Sequence, residues 1–133
     1  MERITIRAAR EADAEAWRLL RLALWPPDDH REEVAAFFRG DLAEPLVVLL
    51  AQGQDGTLVG FAELSIRAEV PGAHSDRVGY VEGLYVVPGK RGRGIARRLL
   101  AASREWARSE GCGAFASDRA ERVVFDPRFR GRT

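Results

Sequence analysis

One segment constrains this chain more than any other: an apolar stretch, a glycine-rich basic loop and an amphipathic helix follow one another between residues 78 and 108. The apolar stretch predicts a strand from Val78 to Val86, and the apolar residues after Gly94 recur at helical spacing. The first N–H groups of a helix have no acceptor within the helix, and the helix dipole favours negative charge there. Gly92 and Gly94 carry no Cβ, so an anion can approach the main chain. The segment therefore predicts a pyrophosphate-binding loop.

Two common phosphate-binding loops are excluded by residues at their fixed positions. A P-loop requires Gly-Lys followed by Ser or Thr, whereas Lys90 is followed by Arg91. The dinucleotide-binding fingerprint needs a glycine where Arg97 stands, together with an N-terminal βαβ unit. The pattern that remains is Arg91-x-x-Gly94-x-Ala96, and the alternative interpretation is a solvated basic turn.

The remaining segments predict a mixed α/β (α+β) fold with the element order βααβββαββ. Apolar residues at helical spacing indicate the first two helices, and apolar or alternating runs bounded by Gly and Pro indicate the strands. Gln54-Asp55-Gly56 is typical of a hairpin turn. The predicted helices cover residues 13–24, 30–39 and 94–108, and the predicted strands cover 4–7, 46–51, 58–67, 78–86, 114–116 and 122–125.

Length and cysteine content bound the organisation of the chain. A chain of 133 residues leaves little room for a second core, so we expect one domain spanning residues 1–133. No apolar run reaches the roughly 18 residues that span a bilayer, and the N-terminus lacks the apolar core of a signal peptide, so a cytoplasmic location is expected. The single cysteine, Cys112, can form neither an internal disulfide nor a cysteine-based zinc site, and no metal is expected.

The net charge of +1 conceals a segregation along the chain. Residues 88–108 carry seven basic side chains against one acidic, a net charge of +6, and residues 119–133 carry five arginines against two acids, a net charge of +3. The rest of the chain therefore has a net charge of −8. This segregation indicates one anionic and one cationic ligand, or alternatively solvated charges without function. A nucleic-acid-binding function is disfavoured, because aromatic residues are not interleaved with the basic ones.

The loop pattern resembles the R/Q-x-x-G-x-G/A motif of the GNAT superfamily of N-acetyltransferases, in the same place between the fourth strand and the third helix. The resemblance implies a mixed, mainly antiparallel sheet flanked by helices, and acetyl-CoA as cosubstrate. It implies that the loop amides hold the pyrophosphate and that the end of the fourth strand pairs with the pantetheine arm. The cosubstrate-binding residues expected on this basis are Leu84, Tyr85, Val86, Arg91, Gly92, Arg93, Gly94, Ile95 and Ala96.

Further segments resemble the aminoglycoside 6'-N-acetyltransferases within that superfamily. They occur in the same order along most of the chain: Leu24-Trp25-Pro26, Gly60-Phe61-Ala62-Glu63, Ser65-Ile66-Arg67, Val81-Glu82-Gly83, Ala116-Ser117-Asp118 and Glu121-Arg122-Val123-Val124. The resemblance implies that the acceptor is the 6'-amino group of an aminoglycoside. A polycationic substrate agrees with the acidic remainder of the chain.

Glu82 and Asp118 stand out among the acids, because each interrupts or ends an apolar strand where an unpaired carboxylate is costly. The resemblance places both in the acceptor cleft and implies catalytic and substrate-binding roles. Asp118 is expected to grip and orient the substrate ammonium, and Glu82 to grip it or to act as general base, directly or through water. Trp25 is expected to pack against a sugar ring, the alternative being a core position. Because no nucleophilic side chain is suitably placed, we expect direct attack in a ternary complex.

Other side chains remain open candidates. The proton donor for the departing thiolate has hydroxyl candidates in Tyr80, Tyr85 or a serine, and an amide near Val86 is a candidate oxyanion donor. Further candidate contacts to a cationic substrate, each also compatible with a solvated surface acid, are Asp28, Asp29, Glu32, Glu33, Glu63 and Glu69.

The chain departs from the family near its C-terminus. Only Arg119 and Ala120 separate Asp118 from Glu121, where family members have a helix and the beginning of a strand, so that helix is expected to be missing. The last strand then folds back as a hairpin, pairs with a neighbouring subunit, or belongs to a poorly active remnant. Because an exposed strand edge favours association, a homodimer is expected.

Two alternative functions stay open beside the aminoglycoside acetyltransferase. One is a GNAT enzyme for another amine, such as a polyamine or a protein N-terminus, which an acidic cleft also admits. The other is a binding protein without turnover, which the shortened C-terminal region would explain.

Overall fold

The computed structural model describes residues 2–117 and the strand at 122–124. The helices are α1 (Ala14–Leu24), α2 (Arg31–Arg39) and α3 (Ile95–Ser109). The strands are β1 (Thr5–Ala8), β2 (Val47–Gln52), β3 (Leu58–Arg67), β4 (Val78–Val86), β5 (Ala114–Ser117) and β6 (Arg122–Val124). Short 3-10 turns at Glu11–Asp13 and Pro88–Lys90 precede α1 and α3. The predicted order βααβββαββ is confirmed, and the bounds of β3 and β4 are those predicted.

The six strands form one sheet in the order β1-β2-β3-β4-β5-β6. Neighbouring strands are antiparallel except β4 and β5, which run parallel because α3 connects them. This confirms the expected mixed, mainly antiparallel sheet. β6 pairs with β5 in a hairpin, the first of the three arrangements expected for the C-terminal strand. No helix in the described part of the chain is both long and apolar enough to cross a membrane.

Helix α3 covers one face of the sheet and packs closely against it. Its buried side chains are Ile95, Leu99, Ser103 and Ala107, at a spacing of four residues. Ala102 and Trp106 are half-buried and pack against the same core. Small side chains at 103 and 107 let the helix approach the sheet, and a Cβ on Gly79 would lie 2.4 Å from the Ala107 Cβ. Because the helix lies this close to the sheet, its smallest side chains, Ser103 and Ala107, are the ones that face the sheet.

Helices α1 and α2 cover the opposite face. Trp17 is fully buried between them and the sheet, with its ring edge-on to Phe37 at 5.2 Å and to Phe38 at 5.9 Å. Leu50 and Phe61 contribute the sheet side of this second core and are also fully buried. Burying each such side chain contributes about 1.5–3 kcal/mol. The two cores hold β4 between them, so the position of its exposed end is set from both faces.

A β-bulge in β4 determines which side chains face α1. Glu63 of β3 is opposite Gly83, but the next residue, Leu64, is opposite Val81, so Glu82 is the extra residue of a β-bulge. A bulge redirects side chains, and here the Glu82 side chain and the Cα of Gly83 both face the side of the sheet covered by α1. Among the described residues, β5 pairs with the first part of β4, from Val78 to Val81.

Candidate functional site

A cavity of about 820 Å³ lies beside the second half of β4. Its walls come from the end of α1, the second half of β4, the glycine-rich loop and the first turn of α3. The expected cosubstrate residues line it, with the exception of Arg93. Lys90 and Arg97 line it as well, although they were not among the expected site residues. An extended ligand can lie along a strand and hydrogen-bond to its main chain.

The loop geometry fits an anion. Gly92 and Gly94 have φ angles of +78° and +83°, which favour glycine, and a Cβ at either position would meet nothing within 4 Å. The Arg98 N–H donates to the Gly94 carbonyl oxygen at 3.1 Å, which is the first turn of α3. The N–H groups of the three residues between them therefore have no acceptor inside the helix. Together with the helix dipole, these donors can hold a pyrophosphate.

Arg91 and Lys90 connect the loop to two different parts of the protein. The Arg91 Nε donates to the Val86 carbonyl oxygen at 2.8 Å, and its guanidinium lies 5.5 Å from the centre of the Tyr85 ring. Arg91 therefore ties the loop to the end of β4 as well as supplying charge. Lys90 Nζ lies 2.7 Å from Glu2 Oε1, which anchors the loop to the N-terminal segment.

Glu82 lines the cavity, and its carboxylate is paired. Arg67 donates from Nη2 to Oε1 at 2.7 Å and from Nε to Oε2 at 2.9 Å, and the Ser65 hydroxyl also donates to Oε2. The Arg67 guanidinium stacks on the Tyr80 ring, 3.8 Å from its centre. The Glu82 side chain is 17% exposed. No partner for this carboxylate was predicted; Arg67 and Ser65 reach it because the register of β3 and β4 shifts at the bulge.

Trp25 follows the last residue of α1 and forms a wall of the cavity. Its ring packs against Phe61 at 6.1 Å between ring centres and lies over the main chain of Gly83. A Cβ on Gly83 would be 2.4 Å from the Trp25 Cη2 atom. The ring is half-buried, so the two interpretations of Trp25 are compatible: one part of it packs in the core and another faces the cavity.

A buried polar network lies behind Trp25. The Arg21 guanidinium donates to both carboxylate oxygens of Glu63, at 3.0 and 2.9 Å, and the Trp17 indole N–H donates to Oε2 at 3.1 Å. Arg21 also lies 5.1 Å from the centre of the Trp25 ring. Glu63 is only 3% exposed, and this desolvation raises its pKa to about 7. Glu63 was a candidate contact for a cationic substrate; that hypothesis is wrong, because its oxygens already accept from buried donors.

His30 completes the network. Its Nδ1 accepts from the Arg21 Nε–H at 3.3 Å, so its Nε2 carries the proton donated to the Trp25 carbonyl oxygen at 2.9 Å. Asp28 and Glu33 place carboxylate oxygens within 4.8 Å of this ring, a grouping that resembles a metal site. Both ring nitrogens already take part in these bonds, so His30 serves to hold the end of α1 and has no lone pair left for a metal ion.

Asp118, expected to act with Glu82, lies outside the described residues. Ser117, the last described residue of β5, lines the cavity. Val81, which is paired with Ser117, also lines the cavity, so the described end of β5 reaches the same cavity as Glu82.

Comparison with known proteins identifies the family to which this geometry belongs. The profile described as "Acetyltransferase (GNAT) family" matches residues 7–124. An aminoglycoside N(6')-acetyltransferase type 1 of Stenotrophomonas maltophilia is 48% identical over 117 residues, covering 86% of this chain and 74% of that protein. Its counterpart in Klebsiella aerogenes is 41% identical over 116 residues, covering 85% and 76%.

Solved structures agree. Aminoglycoside N-acetyltransferase AAC(6')-Iy in complex with CoA superposes with a TM-score of 0.78 at 33% identity, covering 95% of each chain. The same enzyme in complex with a bisubstrate analogue, CoA-S-monomethyl-acetylneamine, superposes with a TM-score of 0.77 at 34% identity, covering 93% of this chain and 97% of the other. By sequence and by fold, this chain belongs to the GNAT acetyltransferase family.

Proposed function

We propose that the protein transfers the acetyl group of acetyl-CoA to the 6'-amino group of an aminoglycoside. The observation that carries this proposal is a single cavity with an anion-binding loop at one end and a carboxylate beside an aromatic wall at the other. The names of the relatives supply the acceptor, and the bisubstrate analogue bound to AAC(6')-Iy joins the two ligands across one site in that enzyme.

The cosubstrate end is built from the loop and β4. Main-chain N–H groups at the start of α3 hold the pyrophosphate, with Gly92 and Gly94 allowing close approach. Lys90 and Arg97 add positive charge at the cavity wall. Leu84, Tyr85 and Val86 of β4 line the cavity, and this stretch is proposed to bind the pantetheine arm. This arrangement directs the thioester toward Glu82.

The acceptor end holds the amine and its proton acceptor. The amine nitrogen attacks the thioester carbonyl carbon, the carbon–sulfur bond breaks, and the thiolate leaves. Glu82 and Asp118 are proposed to orient the amine and to receive its proton, directly or through water. Trp25 offers a flat apolar surface to a sugar ring. Of the two tyrosine candidates for the proton donor, Tyr85 lines the cavity, whereas Tyr80 is 8% exposed and lies under Arg67.

Turnover tests the proposed function. Release of CoA thiol is measured with acetyl-CoA and, in parallel, a kanamycin-type aminoglycoside, spermidine and a peptide with a free N-terminus. We expect thiol release with the aminoglycoside. Release with the peptide or spermidine alone indicates a GNAT enzyme for another amine, and tight drug binding without release indicates a binding protein.

The acceptor-site assignment has its own test. Glu82→Ala and Asp118→Ala are each expected to weaken aminoglycoside binding in calorimetry, whereas Glu110→Ala, on the exposed turn after α3, is the matched control and should not. Normal drug binding by both cleft variants contradicts the assignment.

The homodimer and the cytoplasmic location belong to this proposal. The dimer is supported by the position of β6, which is the last strand of the sheet among the described residues. A monomeric mass by light scattering at micromolar concentration contradicts it. Acetyl-CoA is a metabolite of the cell interior, which supports the cytoplasmic location, and recovery of the protein only in an extracytoplasmic fraction contradicts it.

A further inference from the structure

Glu82, which lines the acceptor end of the cavity, is paired with the cationic side chain of Arg67. Arg67 engages both oxygens of Glu82, and this two-point geometry is the strongest form of an arginine–carboxylate pair. The guanidinium is held from its other side by the Tyr80 ring at 3.8 Å. Among the described residues, Glu82 and the Tyr80 ring on β4 hold Arg67 in position, although its side chain is 39% exposed.

This cation bears on the chemistry that the proposed function requires. Acetyl transfer needs a neutral amine, since an ammonium has no lone pair with which to attack the thioester. A lone carboxylate beside the amine would stabilise the ammonium and raise the amine's pKa, which strengthens binding but removes the nucleophile at neutral pH. A carboxylate already balanced by an arginine still accepts a hydrogen bond or a proton, with a much smaller effect on the amine.

We propose that Arg67 is a positioning residue that neutralises Glu82, so that the cleft holds the acceptor amine without stabilising its protonated form. The inference rests on the proposed function and deepens it. Arg67 acts through Glu82: it fixes the carboxylate's orientation and cancels most of its field at the place where the amine reacts. Other acidic residues can then attract the polycationic substrate. The Arg67–Glu82 pair holds the one amine that must lose its proton without raising the pKa of that amine.

The remaining charges near the pair do not replace Arg67. From β3, Glu63 faces the same side of the sheet but is already bonded to Arg21, in the network behind Trp25. From β4, the ionisable neighbours are the two tyrosines at 80 and 85. On the loop and α3, the basic groups at the cavity wall are Lys90, Arg91 and Arg97, at the end assigned to the cosubstrate. The only other acid assigned to the cleft is Asp118, whose structure is not described.

The pH profile of kcat/KM for the aminoglycoside tests the inference. In Arg67→Gln, the acid limb of the profile is expected to move up by about one pH unit or more, because the unbalanced carboxylate keeps the amine protonated. At neutral pH, kcat is expected to fall about tenfold while KM for the drug falls as well. Arg67→Lys keeps the charge and should leave the acid limb close to that of the unmodified protein.

Two further variants separate electrostatics from damage to the fold. Arg67→Gln combined with Glu82→Gln restores neutrality and should return the acid limb toward its original position, even though activity remains low. Arg39→Gln removes a positive charge from an exposed pair at the end of α2 and should leave the limb unmoved.

The outcomes are distinguishable. An unshifted acid limb in Arg67→Gln, or a rise in KM without a change in the profile, overturns the role of Arg67 and leaves the proposed function standing. Absence of turnover in the unmodified protein overturns the proposed function, and this inference with it.

Discussion

Substituting alanine for Gly83 tests the link between the core and the acceptor cleft. The Cβ of Gly83→Ala would lie 2.4 Å from Trp25 Cη2 and 2.7 Å from Cζ2, whereas ordinary contact begins at 3.4 Å. The ring must therefore retreat by about 1 Å to relieve the overlap. It has little room, because the Phe61 ring, the His30 ring and the Arg21 guanidinium surround it at 6.1, 6.2 and 5.1 Å between centres.

Such overpacking costs about 1–3 kcal/mol of the free energy of unfolding. Displacing the ring also changes the cavity wall, so we expect KM for the aminoglycoside to rise and KM for acetyl-CoA to stay close to its original value. Gly89→Ala is the matched control, because Gly89 has no strained φ and a Cβ there meets nothing within 4 Å.

Urea denaturation and steady-state kinetics measure both effects. Trp25→Phe removes the ring atoms that the new methyl group would meet, so the double variant Gly83→Ala/Trp25→Phe is expected to be more stable than the sum of the single changes by at least about 1 kcal/mol. Additive free energies, or a Gly83→Ala protein as stable as the unmodified one, would refute the close packing of residue 83 against Trp25.

Two more predictions concern pH and the cosubstrate loop. Burial raises the pKa of Glu63 to about 7 from its ordinary 4.5, so the folded protein binds this proton more tightly than the unfolded chain does. The difference stabilises the folded state by about 3 kcal/mol at low pH. This stabilisation is complete below pH 4.5 and is lost as the pH rises through 7. Denaturation at a series of pH values should show this slope, and its persistence in Glu63→Gln would contradict the assignment. Gly94→Ala places a Cβ on a residue with φ +83°, which costs roughly 1 kcal/mol, and it should raise KM for acetyl-CoA. Gly111→Ala, with φ +79° at the far end of α3, is equally strained and should leave this KM unchanged. Equal effects of the two substitutions on KM would argue against a specific role of the loop.

The sequence was sufficient to predict the elements whose signals are local. Period-two and apolar runs predicted β3 and β4 with the correct bounds, and Gly40, with φ +78°, ends α2 as expected. The glycine-rich loop was recognisable because its function depends on a helix start and on residues without a Cβ. Nearly all the expected cosubstrate residues therefore line the cavity.

What the sequence did not predict depends on pairing between distant segments. The bulge at Glu82 is a register shift between β3 and β4, and it brings Arg67 and Ser65 to the carboxylate. In the same way, the sequence is compatible with Glu63 as a surface acid, whereas in the folded protein α1 places Arg21 and Trp17 over its carboxylate. An alternating Ser65-x-Arg67 opposite a strand carboxylate is the one signal that could have indicated the pair, since residues two apart share a face.

Analysis of the acetylated product tests the central claim most directly. The protein is incubated with acetyl-CoA and a kanamycin-type aminoglycoside, and the product is examined by mass spectrometry and NMR. We predict a singly acetylated drug with the acetyl group on the 6'-amino nitrogen. Unmodified drug under conditions in which acetyl-CoA binds, or acetylation at a different amine, would contradict the account.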